Sequence, residues 1–221
     1  MEVWLAVEAR RSETVKDKSV LLIVDLQIDF CPGGNLAVRE GDRIVPLVNR
    51  LARGFERIVA TQDWHPQDHV SFASNHPEKN PFDTIQTAEG EQVLWPDHCV
   101  PGTRGAEFHP DLDTLAFDLI IRKGSNRNLD SYSAFFENDH ETPTGLHFYL
   151  QGLELKSVYL VGLALDVCVY YSALDALRLG FDVTLVEDSC RGIDTPPGSL
   201  KARLEEMKKA GVHILKTADV S

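Results

Sequence analysis

Four polar residues stand where apolar runs end. Asp25 closes VLLIVD, Asp63 follows the run at 58–60, Lys123 follows FDLIIR, and Cys168 comes shortly after the run at 158–161. A thiol, a carboxylate and an ammonium make chemical sense as a set. The thiolate attacks an electrophilic carbon, the carboxylate takes and returns the proton, and the ammonium stabilises negative charge nearby. Taken singly, each has an ordinary reading: a small buried hydrophobe for the cysteine, a solvated surface group for the lysine, a turn or cap for the acids. Four of them at the carboxyl ends of strands is harder to explain that way, because ligands of open α/β sheets bind beyond those ends.

Asp63-Trp64-His65 adds a second chemistry. On an extended segment residues i and i+2 point the same way, so both side chains reach one cation. His98, within Trp95-Pro96-Asp97-His98-Cys99, is a candidate third ligand, and His69 is close enough in sequence to be a fourth. One carboxylate and two imidazoles with open positions suit catalytic Zn²⁺, Fe²⁺ or Mn²⁺. The chain has eight histidines, so chance pairs are common. The aromatic, proline-marked setting of His98 is what favours a site.

These residues need a scaffold that brings strand ends together. The runs at 20–25, 58–60, 117–122, 158–161, 183–186 and 212–215 read as strands, several of them apolar throughout, as suits burial on both faces of a parallel sheet. Helical patterns occur at Ile44, Leu47, Val48 and Leu51, near 145–153, after Asp166, and over 199–210. This alternation predicts an α/β fold: a three-layer, mostly parallel, doubly wound sheet with helices on both faces. A turn at 162–165 leads into the helix near Asp166, whose carboxylate suits an N-cap. Cys168 would then lie in the first helical turn, where backbone amides and the helix dipole favour a thiolate. Val167, Tyr171, Leu174 and Leu177 are the expected buried face. The weakly periodic stretch from Pro66 to about Asp113 holds Phe72, Trp95 and His98, and is expected to be ordered and functional.

A chain of 221 residues, 43% hydrophobic and 25% charged, fits one soluble domain. We expect an N-terminal extension over 1–18 and a single domain over 19–221. The net charge of −12 argues against nucleic acid or an anionic membrane surface as partner. No apolar run is long enough to span a bilayer, and the first residues lack the marks of a signal peptide. Four scattered cysteines without CxxC spacing suggest reduced thiols and a cytoplasmic home. No glycine-rich phosphate cradle follows a strand, and no G-x-S-x-G elbow is present.

The motifs VDLQIDFCPGG-LAV, TQDWHP-DH-SF, WPDHCV-GT-GAEFHP, KG-----DSYSAFF and VGLALDVCV--SALDA together resemble the nicotinamidases of the isochorismatase-like cysteine hydrolase superfamily. The likeness runs from about Val20 to the C-terminus. It implies an amidohydrolase that converts nicotinamide to nicotinate and ammonia through a cysteine thioester, in NAD salvage, and that also accepts pyrazinamide. It implies Asp25, Lys123 and Cys168 as the triad, with the amides of Ala164 and Cys168 as oxyanion hole beside a cis peptide at Leu163-Ala164. Asp63, His65 and His98 would hold a divalent metal, Zn²⁺ foremost, with Fe²⁺ or Mn²⁺ as alternatives and His69 as an extra ligand candidate. Phe30 and Trp95 would sandwich the pyridine, and Tyr132, Leu163 and Ala164 would line the pocket. The family carries Asn where Ile28 stands and Thr where Leu165 stands. A homo-oligomer is expected by analogy alone. Two rivals remain: a relative acting on another small amide, and a non-catalytic metal- or thiol-binding scaffold.

Overall fold

Each strand of the central sheet is short, apolar and flanked by turns, and what gives it a place is burial on both faces. The computed structural model describes residues 18–220, so the expected extension at 1–18 lies almost wholly outside the described residues. In chain order the strands are β1 (Ser19–Val24), β2 (Ile58–Asp63), β3 (Thr84–Thr87), β4 (Gly90–Val93), β5 (Leu119–Lys123), β6 (Ser157–Gly162), β7 (Asp182–Cys190) and β8 (His213–Leu215). Six of them form one sheet in the order β5-β2-β1-β6-β7-β8, with every pairing parallel. The helices are α1 (Val45–Ala52), α2 (Leu146–Gly152), α3 (Tyr170–Arg178) and α4 (Ser199–Ala210).

Alternation along β1 explains the two cores. Val20, Leu22 and Val24 point into one, with Leu146, Leu150, Ala173 and Met207 from α2, α3 and α4. Leu21 and Ile23 point into the other, with Val45, Val48 and Leu51 from α1. The expected three-layer, doubly wound arrangement is therefore present, with three helices on one face and one on the other. The long stretch between β2 and β5 is ordered, and it carries the antiparallel hairpin β3–β4, which has no counterpart among the expected strands.

The strand order reverses between β1 and β6. The chain leaves β1 towards β2 and β5, then returns to the other side of β1 as β6. Such a reversal opens a crevice beyond the strand ends. Gly162 makes that crevice tight: its φ is 120°, and a Cβ there would fall 2.1 Å from the Val24 carbonyl oxygen. The end of β6 thus presses against the end of β1, and the turn after Gly162 lies beside Asp25.

One local expectation fails in α3. Val167, Tyr171, Leu174 and Leu177 are half-buried, whereas Val169, Ser172, Ala173 and Ala176 are fully buried. Small residues line the face against the sheet because they let the helix axis approach it, and the larger side chains pack at the flanks.

Candidate active site

Lys123 is the last residue of β5 and is completely buried. An ammonium can remain charged there only if counter-charges surround it. It has two: Asp25 Oδ2 at 2.9 Å and Asp63, with which it makes a direct ion pair. Its Nζ also donates to the Ser131 carbonyl at 3.0 Å and to Cys168 Sγ at 3.5 Å. Burial pulls the Lys123 pKa down, but Asp25, Asp63 and Cys168 outweigh it and hold the ammonium well above its ordinary range. Asp25, Asp63 and Cys168 each offer an atom within 4.8 Å of the others. The structure therefore brings together the acid, the lysine and the cysteine that strand-end reasoning singled out.

Asp25 sits just past β1 in the left-handed region, with φ 46°, a conformation that persists where its surroundings over-determine it. Its N–H donates to Thr61 Oγ1 at 3.1 Å, and the Thr61 hydroxyl donates back to Asp25 Oδ1 at 2.6 Å. Oδ2 has no such hydroxyl partner, and its nearest counter-charge is the Lys123 ammonium at 2.9 Å. Burial raises the Asp25 pKa, against the pull of Lys123. Cys168 is likewise pushed well above its ordinary value by burial, with Asp25 and Asp63 adding to the effect and Lys123 opposing it. This direction runs against the expectation of a thiolate favoured by a helix start. The thiol lies beside the Asp25 carboxylate, each offering an atom within 4.8 Å of the other.

The turn carrying the thiol also differs from expectation. Leu165–Val169 forms a π-type turn ahead of α3, with the Val169 N–H donating to the Ala164 carbonyl at 3.1 Å. Asp166 does not cap this helix. Its carboxylate accepts from the N–H groups of Ile193 and Asp194, at 2.9 and 2.8 Å, and from the Ser199 hydroxyl at 2.8 Å. It thereby ties the nucleophile turn to the segment between β7 and α4. The Leu163-Ala164 peptide is cis, where the resemblance places it.

Asp63, His65 and His98 converge on one point, each offering an atom within 4.8 Å of the others. His65 Nε2 and His98 Nε2 lie 3.5 and 3.8 Å from Asp63 Oδ2. Their Nδ1 atoms are bonded outward, to the carbonyls of Gly124 at 2.9 Å and Pro96 at 2.7 Å. Outward bonds of this kind set the tautomer and aim the free nitrogen inward. Gly124 can only be glycine, since its φ is 66° and a Cβ would meet the His65 ring at 2.3 Å. Burial would raise the Asp63 pKa, but Lys123 and His65 hold it well below the carboxylate range. A fixed anion with two inward imidazole nitrogens is a donor set that fits a divalent cation such as Zn²⁺. His69 is not part of this group. It clusters instead with His65 and Asp130, and its ring nitrogens contact Ser71 and the Leu129 carbonyl.

A small cavity lies between the thiol and the metal-type cluster. Phe30, Trp95, Tyr132 and Ala164 line it, as the resemblance implies, with Val167, Asp130 and Ile193. Leu163 does not. It is fully buried in the α1-side core, with a methyl 3.2 Å from where a Gly41 Cβ would be.

Sequence reasoning missed several positioning residues. Gln27 brackets Asp63, donating to its carbonyl at 3.0 Å and accepting from its N–H at 2.8 Å. Asp29 accepts from Cys99 N–H at 2.7 Å and Asn35 N–H at 3.0 Å, linking the loops that carry His98 and Phe30. Gly34 and Gly105 are glycines because a Cβ at either would collide with Asp29. Ile28 is held by its backbone, donating to the Glu107 carbonyl at 2.9 Å, and Leu165 by an N–H to the Arg191 carbonyl at 2.7 Å.

Comparison with known proteins agrees with this geometry. The isochorismatase domain profile matches residues 19–219. The chain belongs to the isochorismatase family. Within that family it is 51% identical to a nicotinamidase of Acinetobacter baylyi, over 90% of this chain and 93% of the relative. A solved nicotinamidase/pyrazinamidase of Acinetobacter baumannii superposes with a TM-score of 0.91 at 51% identity, covering 93% of this chain and 99% of the other. A Pyrococcus horikoshii pyrazinamidase solved in complex with zinc has a TM-score of 0.74 at 39% identity, covering 90% and 99%. Among the described residues no helix is long and apolar enough to cross a membrane.

Proposed function

We propose that this isochorismatase-family protein is a nicotinamidase, hydrolysing nicotinamide to nicotinate and ammonia and so returning the pyridine to NAD salvage. The observation that carries the reading is the meeting of Asp25, Lys123 and Cys168 at the β1/β6 reversal, across a shared cavity from Asp63, His65 and His98. The nicotinamidase and pyrazinamidase names of its relatives support it, and pyrazinamide is proposed as a second substrate.

Asp25 Oδ2, the oxygen without a hydroxyl partner, takes the Cys168 proton. The sulfur attacks the carboxamide carbon, and the backbone amides of Ala164 and Cys168 hold the oxyanion, a contact usually worth several kcal/mol. Asp25 passes its proton to the departing nitrogen, which leaves as ammonia. A water that gives its proton to Asp25 then splits the thioester, releasing nicotinate and restoring the thiol. Lys123 keeps its charge throughout and offsets the negative charge that Asp25 and the sulfur carry in turn. Asp63, His65 and His98 would hold a divalent cation, for which we propose Zn²⁺, and which would supply Lewis acidity towards the pyridine ring when bound. Phe30 and Trp95 grip the ring faces while Tyr132 closes one side. We assign residues 19–221 to one hydrolase domain, and the four buried, unpaired cysteines support a reducing, cytoplasmic setting.

The test is ammonia and nicotinate release from nicotinamide by the purified, zinc-loaded protein. Cys168→Ala is expected to lower the rate by roughly 10⁴-fold. Undiminished release by that variant would overturn the covalent route.

A further inference from the structure

A second cavity, of about 170 Å³, shares lining residues with the substrate cavity. Asp130 and Tyr132 line both, so these two residues are the partition between them. One side chain from the β3–β4 hairpin contacts both. The Gln92 side-chain amide donates its two hydrogens to Asp130 Oδ2 at 2.8 Å and the Val93 carbonyl at 2.7 Å, and the Tyr132 hydroxyl shares the same nitrogen at 3.1 Å. The carboxylate and carbonyl can only accept, which fixes the amide nitrogen on that side. Tyr132 is held from its other side by Trp95 Nε1 at 3.3 Å, so the same network reaches a proposed ring-stacking residue. Gln92 is buried although it belongs to β4 of an otherwise largely exposed hairpin. It does not line the substrate cavity itself; it acts through the two residues that do.

The second cavity is polar and acidic. Glu89, Glu91, Asn128, Asn138 and His140 line it together with Asp130. No step of the proposed reaction uses it.

We propose that Gln92 is a specificity-determining positioning residue: it clamps the Asp130–Tyr132 partition, restricts the enzyme to small, unsubstituted rings, and closes off an acidic extension able to receive a cationic ring substituent. This inference rests on the nicotinamidase reading. Releasing the clamp lets Tyr132 move, which weakens the grip on nicotinamide and joins the two cavities. Glu89, Glu91 and Asp130 then favour a substituent bearing an ammonium over one bearing a carboxylate.

The experiment compares the zinc-loaded wild type with Gln92→Met, Gln92→Glu and Tyr132→Ala. Substrates are nicotinamide and nicotinamides carrying an aminomethyl or a carboxymethyl group at each free ring carbon in turn. The wild type should hydrolyse nicotinamide and neither substituted series. Gln92→Met should raise KM for nicotinamide about tenfold, the effect of losing hydrogen bonds that position the binding wall, with kcat changed by about twofold at most. Both Gln92→Met and Tyr132→Ala should acquire turnover of an aminomethyl compound but not of its carboxymethyl partner. Gln92→Glu sets a carboxylate against Asp130 and should show the same gain. Unchanged KM and unchanged substrate range in Gln92→Met would overturn the inference, as would a Tyr132→Ala enzyme that still rejects every aminomethyl compound. Failure of both Gln92 variants to fold would assign the residue to stability and overturn it too. A wild type inert towards nicotinamide would instead refute the proposed function, so the two failures are distinguishable.

Discussion

Asp25 and Asp63 are both buried carboxylates at the ends of neighbouring strands, and both face the same lysine, yet their pKa values are driven in opposite directions. Asp63 has Lys123, His65 and His98 around it, and it stays an anion. Asp25 has the Thr61 hydroxyl on one oxygen and the Lys123 ammonium beside the other, yet burial, with the Asp63 charge adding to it, prevails and its pKa rises. The difference divides labour between the walls of one cavity. The Asp63 side is a fixed negative ligand. The Asp25 side can accept a proton and return it. Two titrating groups pushed apart by their surroundings mark the assignment of roles.

Paired substitutions offer the strongest way to break this comparison. Asp25→Asn should lower nicotinamide turnover by about 10³-fold or more while the metal content of the purified protein stays unchanged. Asp63→Asn should lose activity together with metal, with affinity down by about 100-fold or more. It should also cost roughly 3 kcal/mol of stability, because a buried ammonium loses one of two counter-charges. Equal metal loss in the two variants would mean that the walls are not separate.

A smaller effect sharpens the Asp25 half. Thr61→Val removes the hydrogen bond to Asp25 Oδ1, and it should lower kcat about tenfold with little change in KM. That hydrogen bond also lowers the Asp25 pKa. Because the reaction needs the carboxylate form, the acidic limb of the rate profile should move to higher pH in Thr61→Val and return in Thr61→Ser.

The smallest expected effect lies one contact further out. Burial raises the Glu137 pKa from 4.5 to about 7, helped by Asp130 and Asp139 and opposed by Lys123 and Ser131. The folded protein therefore holds a proton that the unfolded chain releases near 4.5. The stability this contributes is fully present below that pH and is lost as pH rises through about 7. Glu137→Gln should cancel it, so the stability of the wild type relative to the variant should decline across that window in denaturant titrations.

Much of this site was legible along the chain. Continuous apolar runs marked strands buried on both faces, and the polar residues at their ends were the ones that meet in the structure. Where local pattern misled, long-range packing was the cause. Asp166 looks like a cap, yet its partners are Ile193, Asp194 and Ser199. Cys168 near a helix start suggests a lowered pKa, yet burial and two carboxylates from other strands push it up. Leu163 sits in the right turn but points into the core.

The sequence by itself determined the strands, the polar groups at their ends, and the Asp-x-His pair whose side chains an extended segment aims the same way, because each depends on residues a few positions apart. Only the tertiary structure decided how those groups act on one another. Strand order put Asp25 and Cys168 at the reversal between β1 and β6, and Lys123 against Asp25 and Asp63. It also brought Thr61 to Asp25 and Gln92 to Asp130 and Tyr132, contacts spanning 36, 38 and 40 residues. No local period encodes such pairings, since they arise only when both faces of the sheet are covered and the buried charges have found their counterparts.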